Sequence, residues 1–344
     1  MVSLLSADRA ERRASISFGS AAGQRRYWVV LGALIVLAGA CAFGLLAWKN
    51  PMPFGTPGFW LIAERRATAV IVMAIVAIAQ ASATVTFQTV TNNRIITPSI
   101  MGFEALYMVI QTATVYFFGI SGLLNFTGVP QFVTQVVLMV GFSLVLYGWL
   151  LTGRHANMQV MLLIGIILGG GMASLSTFMR RLLSPSEFDL LTAKMFGSVT
   201  NADSEIIAPA AILVACSVAI ILIRSRALNV VALGSDVATN LGVHHRRNSI
   251  FFLIMVSILV STSTALVGPM TFLGFLVATL AYQVADTFDH RLILPMAALI
   301  AFAVLTSAYF VMNHIFYAQG VVSIIIELVG GSVFLVVLMK KGRL

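Results

Sequence analysis

Charged residues are scarce in this chain, and their scarcity decides the class of protein. Asp, Glu, Lys and Arg make up 10% of its 344 residues, whereas soluble domains carry about 25%. Hydrophobic residues make up 59%, and the mean hydropathy is +0.99. This composition excludes a soluble globular protein and indicates a chain that crosses a membrane several times. The net charge of +9 therefore reflects orientation in the membrane, and we expect no nucleic-acid partner.

Cysteine and the signatures of catalysis are also missing. The two cysteines, Cys41 and Cys216, lie in separate apolar runs, which excludes a disulfide framework. No histidines have the spacing of metal ligands within a span, since His244 and His245 are adjacent. The glycine run GIILGGGMAS (165–174) is not followed by Lys-Ser/Thr, so it is not a nucleotide-binding loop. We therefore predict that the chain is not an enzyme and binds no metal or cofactor of its own.

Ten apolar runs are candidates for membrane spans, each of which needs about 20 residues. They are 27–48, 67–90, 98–118, 131–152, 157–178, 206–224, 249–268, 270–285, 292–312 and 320–339. The eighth run is short and begins at Gly268-Pro269, so we expect it to be tilted or to span only part of the bilayer. The predicted fold class is an all-α polytopic membrane protein with about ten transmembrane helices.

The distribution of basic residues predicts the orientation. With the N-terminus in the cytoplasm, fifteen of the 21 Lys and Arg residues fall on the cytoplasmic side, as the positive-inside rule requires. An even number of spans then places both termini there. The chain divides into a basic cytoplasmic tail (1–26), a single transmembrane domain (27–339) and a second basic cytoplasmic tail (340–344).

A similar motif occurs twice in opposite orientations. PSIMGF (98–103) opens the third span from the inside, and PMTFLGF (269–275) opens the eighth span from the outside. Such a pair predicts an inverted repeat of spans 2–5 and 7–10, an arrangement common among transporters.

Ionisable side chains inside the spans are few, and each is costly enough to be a functional candidate. Glu104 lies about one turn into the third span and can reach the cytoplasmic interface. Glu327 lies deeper in the tenth span, where it either lines a solute path or is buried and hydrogen-bonded to Tyr309 or Asn313. No relay of ionisable groups crosses the spans, which disfavours a proton- or sodium-coupled carrier.

Small and polar residues cluster in two spans. Thr84 and Gln88 lie on one face of the second span, where they either contact a translocated solute or form helix–helix hydrogen bonds. The glycines of 165–174, including Gly169 and Gly170, form a small-residue face on the fifth span. Such a face favours close helix packing and is compatible with packing beside a central path.

Two connecting segments are too long to be simple turns. On the outer side, Ser186 can cap a short amphipathic helix within 184–204. On the cytoplasmic side, 228–247 contains an N-cap at Ser235 and a candidate left-handed glycine at Gly242. The two turns between them have an apolar face of Val237, Ala238 and Leu241. A helix so short is marginal alone in water, so it docks either on the membrane surface or on a cytoplasmic partner.

Three blocks of the sequence resemble one family. LNVVALGSDVATNLGV (228–243) resembles the cytoplasmic coupling segment of the FecCD-type permeases, which are membrane subunits of bacterial ABC importers for iron-siderophore complexes, haem and vitamin B12. FQTVTNNRIITPSIMGFEALY (87–107) and GPMTFLGFLVATLAYQVADTFDHRLILP (268–295) resemble the other two signature blocks of this family. The blocks stand in order on ten spans, so the resemblance covers nearly the whole chain.

The departures from the family pattern indicate a branch. Where the family usually has a Pro-His pair, this chain has Ala278-Thr279, and where an Arg follows three residues later it has Tyr282. The family's Asn-Pro-Leu motif is replaced by Asn-Arg-Ile at 93–95. In these features the chain resembles permeases for catecholate-type siderophores such as petrobactin, vibriobactin or anguibactin. A haem or cobalamin-like ligand, and an ion-coupled secondary carrier, are the alternatives.

The resemblance implies a set of partners in the bacterial inner membrane. Two permease subunits, identical or paralogous, would enclose a central path for a ferric siderophore. Two cytoplasmic ABC ATPases, which bind ATP and Mg²⁺, would hold the coupling segments, and a periplasmic binding protein would dock outside. The implied coupling residues are Ser235, Asp236, Ala238, Thr239, Leu241 and Gly242.

The resemblance also implies outer and central sites. Arg65 and Arg66 fall where the family has an arginine that meets acidic residues of the binding protein, although simple anchoring at the interface is the alternative. The translocation path would involve spans five and ten. Its candidate residues are Thr84, Gln88, Gly169, Gly170 and Glu327.

Overall fold

The computed structural model describes residues 17–48, 50–152, 157–195, 197–199, 202–315 and 322–341, and these ranges contain helices but no β-strand. The helices are α1 (Ala21–Ala47), α2 (Pro57–Val90), α3 (Phe103–Asn125), α4 (Gly128–Thr152), α5 (Met158–Arg181), α6 (Pro185–Met195), α7 (Ser204–Ile223), α8 (Ser225–Val231), α9 (Ser235–Asn240), α10 (His245–Val267), α11 (Leu273–Ala285), α12 (His290–His314) and α13 (Val322–Lys341). A 3-10 turn, Pro98–Met101, precedes α3.

A helix lies at each of the ten predicted spans, which confirms the all-α polytopic fold class. Eight of these helices are long and apolar enough to cross a membrane: α1 to α5, α7, α10 and α12. In the described part of the chain, α11 and the apolar stretch of α13 (Val322–Val336) are shorter. The 13 residues of α11 extend about 20 Å, less than the ~30 Å hydrocarbon core. This length agrees with the prediction that the eighth run spans only part of the bilayer.

Helix α2 is longer than its predicted span. It begins at Pro57 rather than near residue 67, because Thr56 caps it by accepting a hydrogen bond from the Phe59 N–H at 3.3 Å and proline suits the first helical position. Its 34 residues extend about 51 Å. Several turns of α2 therefore project beyond the hydrocarbon core.

The centre of the bundle is formed by α2, α10 and α12. Helix α2 packs along both of the others. In the most apolar window of α2, 78% of the residues are buried, against 11% in α1. The polar side chains of α2 are consequently shielded from lipid by protein, which removes much of the cost of placing them inside a membrane.

The helix contacts follow the predicted inverted repeat, in which α2 corresponds to α10, α4 to α12 and α5 to α13. Helix α2 packs along α12 and helix α10 packs along α4, and these are equivalent contacts. The two similar motifs also have equivalent neighbours. A Cβ on Gly165 of α5 would lie 2.8 Å from Met101, and a Cβ on Gly330 of α13 would lie 2.7 Å from Phe272. Met101 and Phe272 occupy the same position of their motifs, so each half packs its motif on a glycine of its last helix.

The outer connecting helix α6 covers the first part of the predicted segment 184–204, and its cap differs from the prediction. Ser184, not Ser186, is the capping residue. The Ser184 N–H donates to Glu187 Oε2 at 2.9 Å, and the Glu187 N–H lies 3.4 Å from Ser184 Oγ. This reciprocal pair is a capping box, and it leaves the first helical position to Pro185. The hydrogen bonds from the backbone and side chain of Ser184 lower the pKa of Glu187.

Candidate functional site

The predicted cytoplasmic helix is present as α9 and lies between two glycines with positive φ. Gly234 (φ +92°) precedes it and Gly242 (φ +77°) follows it. At its end, the Val243 N–H donates to Ala238 O at 2.9 Å and the Gly242 N–H donates to Thr239 O at 3.0 Å. These two bonds form a Schellman motif, so the left-handed glycine predicted at Gly242 is confirmed.

Ser235 is not the N-cap of α9, contrary to the prediction. Gly234 takes that position with φ +92° and ψ 171°, and no side chain caps the helix. This conformation is accessible essentially only to glycine, so the chain enters the helix one residue earlier than the serine suggested. Ser235 instead accepts a hydrogen bond on its carbonyl oxygen from Thr239 Oγ1 at 2.7 Å. Ser235, Asp236 and Thr239 are all exposed and accessible to a partner.

The apolar residues of helix α9 differ in burial: one is buried and the others are exposed to solvent. It packs on α8 and α10, and Ala238 is fully buried. Val237 and Leu241, one turn apart, are 46% and 59% exposed, and Leu233 in the preceding turn is 56% exposed. The three residues of the predicted apolar face therefore have different surroundings. Ala238 packs against the protein, whereas Val237 and Leu241 are exposed to solvent. We call Leu233, Val237 and Leu241 the α9 surface; Leu233 was absent from the prediction, since its exposure depends on the turn at Gly234.

Helix α8 connects the α9 surface to the centre of the bundle. Asn229 Nδ2 donates to Asp289 Oδ1 at 3.2 Å, and Asn229 Oδ1 accepts from the backbone N–H of His290 at 3.0 Å. Arg291 Nε donates to Ser225 Oγ at 3.1 Å. Two side chains of α8 are thus hydrogen-bonded to the start of α12.

His290 extends this connection to α2. Its buried ring places Nδ1 beside Asn229 Oδ1 and Nε2 2.7 Å from Thr89 Oγ1. When the neutral ring donates from Nδ1 to Asn229 Oδ1, its Nε2 accepts from the Thr89 hydroxyl. The ring joins residues 61 and 201 positions away in the chain, and no local signal predicted such contacts. Helices α8, α12 and α2 are therefore linked by a continuous chain of hydrogen bonds.

Asp289 holds a negative charge at the start of α12. Burial raises its pKa, but hydrogen bonds from the Arg291 N–H, Asn229 and Ser17, together with the charge of Arg291, outweigh burial, and the net pKa lies below the usual value. The positive end of the helix dipole also favours a carboxylate at this position. The acceptor for Asn229 is consequently ionised at neutral pH.

Thr84 and Gln88 lie inside the bundle and not on an open surface. Each is 1% exposed. Thr84 Oγ1 fills the space that a Cβ on Gly274 would occupy, and Gln88 Nε2 donates to Arg94 O at 2.9 Å. Both residues lie in packing contacts, but neither forms the helix–helix hydrogen bond that was one of the two interpretations: Thr84 Oγ1 has no partner among the described residues, and Gln88 bonds the loop that follows its own helix.

Gly169 and Gly170 have different surroundings although they are adjacent. A Cβ on Gly169 would lie 3.0 Å from the Cα of Gly102, whereas a Cβ on Gly170 would meet no atom within 4 Å. Gly102 itself has φ +98°, so the close approach joins two backbones without side chains. Gly169 therefore serves packing, whereas Gly170 is exposed, and its role in a translocation path stays a prediction.

Glu327 is half-buried on α13, and both interpretations of its role stay predictions. Tyr309, one of its expected partners, uses its hydroxyl to accept from the Val199 N–H at 2.9 Å. The neighbour of Glu327 in electrostatic range is Glu104. Glu104 is buried and accepts a 2.6 Å hydrogen bond from Thr271 Oγ1, so it faces the chain before α11 and not the cytoplasmic interface. The starts of α3 and α11 thus meet inside the bundle beside Glu327.

The comparison with known proteins decides the family. The model of the FecCD transport family matches residues 30–340. The chain belongs to this family. It is 53% identical over 337 residues to the petrobactin import system permease protein FatC of Bacillus anthracis, covering 97% of this chain and 94% of FatC. It is 38% identical over 263 residues to the petrobactin import system permease protein YclO of Bacillus subtilis, covering 76% of this chain and 84% of YclO.

A solved structure agrees with the fold of this FecCD protein. The structure of a metal-chelate type ABC transporter in an inward-facing conformation superposes with a TM-score of 0.78, covering 90% of this chain and 99% of the other. The identity is 19%, so the likeness shows a shared fold. The arrangement of helices described above is therefore shared with that transporter.

The two outer arginines of this FecCD protein have different surroundings. Arg66 Nη1 donates to Leu45 O at 3.3 Å, Leu46 O at 3.4 Å and Trp48 O at 3.0 Å. It thereby binds carbonyl oxygens that the end of α1 leaves without helical partners. Arg65 is exposed. Arg66 anchors α1 to α2, and Arg65 is the more exposed of the two; docking of a binding protein through either arginine stays a prediction.

Proposed function

We propose that this FecCD protein is the permease subunit of an ABC importer that moves a ferric siderophore of the petrobactin type into the cytoplasm. The observation that carries the proposal is the 53% identity to a petrobactin import permease over 97% of the chain. The absence of a nucleotide-binding loop in the sequence is consistent with ATP hydrolysis on a separate subunit.

The proposed assembly contains a second permease subunit, identical or paralogous, two cytoplasmic ATPases that bind ATP and Mg²⁺, and an outer substrate-binding protein. The α9 surface supports the position of the ATPases. Exposed apolar residues grouped on one surface are typical of a protein contact, and the distribution of basic residues supports a cytoplasmic position for them. The protein would be a multi-pass component of the inner (cytoplasmic) membrane.

The hydrogen-bond chain from α8 supports a mechanism for coupling. A movement of the ATPases would displace α9 and, through their packing, α8. Asn229 would transmit this displacement to the start of α12, and His290 would transmit it to α2. Because α2 and α12 are central in the bundle, their movement would change the surfaces that enclose the path.

Reconstitution tests this function. The complete importer, purified and placed in proteoliposomes with its binding protein, is expected to accumulate radio-iron-labelled ferric petrobactin only with ATP. Uptake should stop when the catalytic glutamate of the ATPase is replaced. Uptake by this chain alone, driven by an ion gradient, would refute the importer assignment, and a binding protein that prefers haem or cobalamin in a ligand panel would refute the substrate.

Asn229→Ala is expected to weaken coupling between ATP hydrolysis and uptake. The change removes a hydrogen bond to the charged Asp289, a contact of about 1.5 kcal/mol, which corresponds to about tenfold. We expect about tenfold less siderophore transported per ATP hydrolysed, with assembly preserved. The matched control is Asn125→Ala, because Asn125 is exposed at the end of α3. An unchanged transport-to-hydrolysis ratio in Asn229→Ala would contradict the proposed connection.

The outer arginines are expected to respond differently to substitution. Arg65→Glu should reduce the affinity for the binding protein about tenfold by reversing a charge at the contact, with the melting temperature unchanged. Arg66→Gln should lower the melting temperature, since three carbonyl contacts at the end of α1 are lost. Surface plasmon resonance measures the affinity, and thermal unfolding measures the melting temperature. If both substitutions changed the affinity and the melting temperature equally, the separate roles of Arg65 and Arg66 would be contradicted.

A further inference from the structure

A basic pocket opens where α7, α8 and α10 meet, beside the end of α9. Its volume is about 620 Å³, and its polar walls come from Arg224, His244, Arg247 and Asn248. Phe251 and Gly242 also line it. Among the described residues that form its walls there is no carboxylate. Two arginines and a histidine thus contribute to the wall of a mostly apolar space whose own lining supplies no balancing negative charge.

Arg224, one of the two arginines that line this pocket, is held in place by its neighbours. Arg224 Nη2 donates to Asn248 Oδ1 at 3.2 Å, and its guanidinium lies 4.4 Å from the centre of the Phe251 ring. Because the guanidinium is already immobilised, its side chain loses less conformational entropy when an anion binds. The N-terminus of the 23-residue helix α10 is also there, and no side chain caps it. Its free N–H groups and helix dipole favour a negative charge at the same place.

An exposed apolar surface adjoins the cations. Ile223, immediately before Arg224, is 79% exposed, and Ile220 one turn earlier is 37% exposed. Both lie on α7, a helix apolar enough to cross the membrane. A ligand with an anionic head and an apolar tail therefore matches this site at both ends. An acidic protein loop or a free anion would match the cations alone and leave the isoleucines uncovered.

We propose that this pocket binds the phosphate of an anionic phospholipid, with its acyl chains along Ile220 and Ile223 of α7. This site is additional to the transport function and does not depend on the identity of the siderophore. Because Gly242 ends α9 and also lines the pocket, a bound lipid contacts the segment that carries the α9 surface. The lipid thereby stabilises the position from which α9 meets its partner.

Native mass spectrometry of the full chain, titrated with phosphatidylglycerol or phosphatidylcholine, tests the proposal. We expect preferential retention of phosphatidylglycerol. Arg224→Gln and Arg247→Gln should each weaken its retention about fivefold, the effect of removing one basic residue near anionic lipid. Arg226→Gln is the matched control, since Arg226 is exposed on α8 but does not line the pocket. Arg224→Lys keeps the charge and should restore part of the retention.

Other outcomes would overturn the lipid assignment. Equal retention of both lipids would show that the pocket does not select an anionic lipid. A loss of phosphatidylglycerol retention in Arg226→Gln as large as that in Arg247→Gln would show that the lipid responds to surface charge in general and not to this pocket. Arg247 is exposed, so its replacement reports on binding even if Arg224→Gln misfolds. Complete displacement of the lipid by millimolar inorganic phosphate would assign the site to free phosphate. Loss of ATPase association in both variants with unchanged lipid retention would assign the cations to the partner protein.

Discussion

Leu241→Asp is expected to abolish ATP-driven uptake while the protein still inserts and folds. Leu241 is 59% exposed at the end of α9, so aspartate there is solvated in the isolated chain. In the proposed complex the same carboxylate is buried against the ATPase without a partner. Central interface residues of this kind contribute about 2 kcal/mol or more, which is about thirtyfold in affinity. Co-purification of the ATPase and uptake in proteoliposomes measure the loss.

Two variants sharpen the Leu241 experiment. Leu182→Asp introduces the same change at a leucine that is 54% exposed at the end of α5, and it should leave ATPase association intact. Ala238→Asp should lower the melting temperature as well as uptake, because Ala238 lies on the inner face of α9 and is fully buried, and a buried charge is costly. Normal ATPase association in Leu241→Asp would show that the α9 surface is not the ATPase contact.

Gly169→Leu is expected to destabilise the folded protein by about 3 kcal/mol, the upper part of the usual range for overpacking. A Cβ at this position would lie 3.0 Å from the Cα of Gly102 and 3.2 Å from its backbone nitrogen. Backbone atoms cannot rotate away as a side chain does, so α5 and the 3-10 turn must separate. A lower melting temperature of the purified protein in detergent is the direct measurement.

Gly170→Leu is the matched control, one residue along the same helix. A Cβ there meets no atom within 4 Å, and leucine forms helix better than glycine. We expect an unchanged or higher melting temperature. If Gly170 lines the path, uptake should nevertheless fall in this variant, which separates the transport role from the packing role. Equal melting temperatures for the two leucine variants would contradict the close contact of Gly169 with Gly102.

The elements that the sequence predicted well are those with local causes. Spans follow from runs of apolar residues, and the turn at Gly242 follows from a single glycine after two polar turns. The cap of α9 was misplaced because Ser235 is a good capping residue in isolation. The backbone at Gly234 decides the entry into the helix, and its φ of +92° has no signature beyond the glycine itself.

The roles of polar residues could not be predicted in the same way. Arg65 and Arg66 are chemically identical neighbours, and only the position of the end of α1 separates the anchored guanidinium from the exposed one. Thr84 and Gln88 looked suitable for a solute path, but the approach of Gly274 and Arg94 places them in packing contacts. A polar face on a helix shows that it avoids lipid, without showing which protein group it meets.

The sequence alone determined the membrane class, the ten helices, the inverted repeat and the family, because each depends on composition, periodicity or motifs read along the chain. The tertiary structure decided which face of α9 is free, which glycine is buried, and how α8 reaches α12 and α2. The Asn229–His290–Thr89 connection joins residues 61 and 201 positions apart. Contacts at such separation arise from the packing of whole helices, so no local pattern in the sequence could specify them.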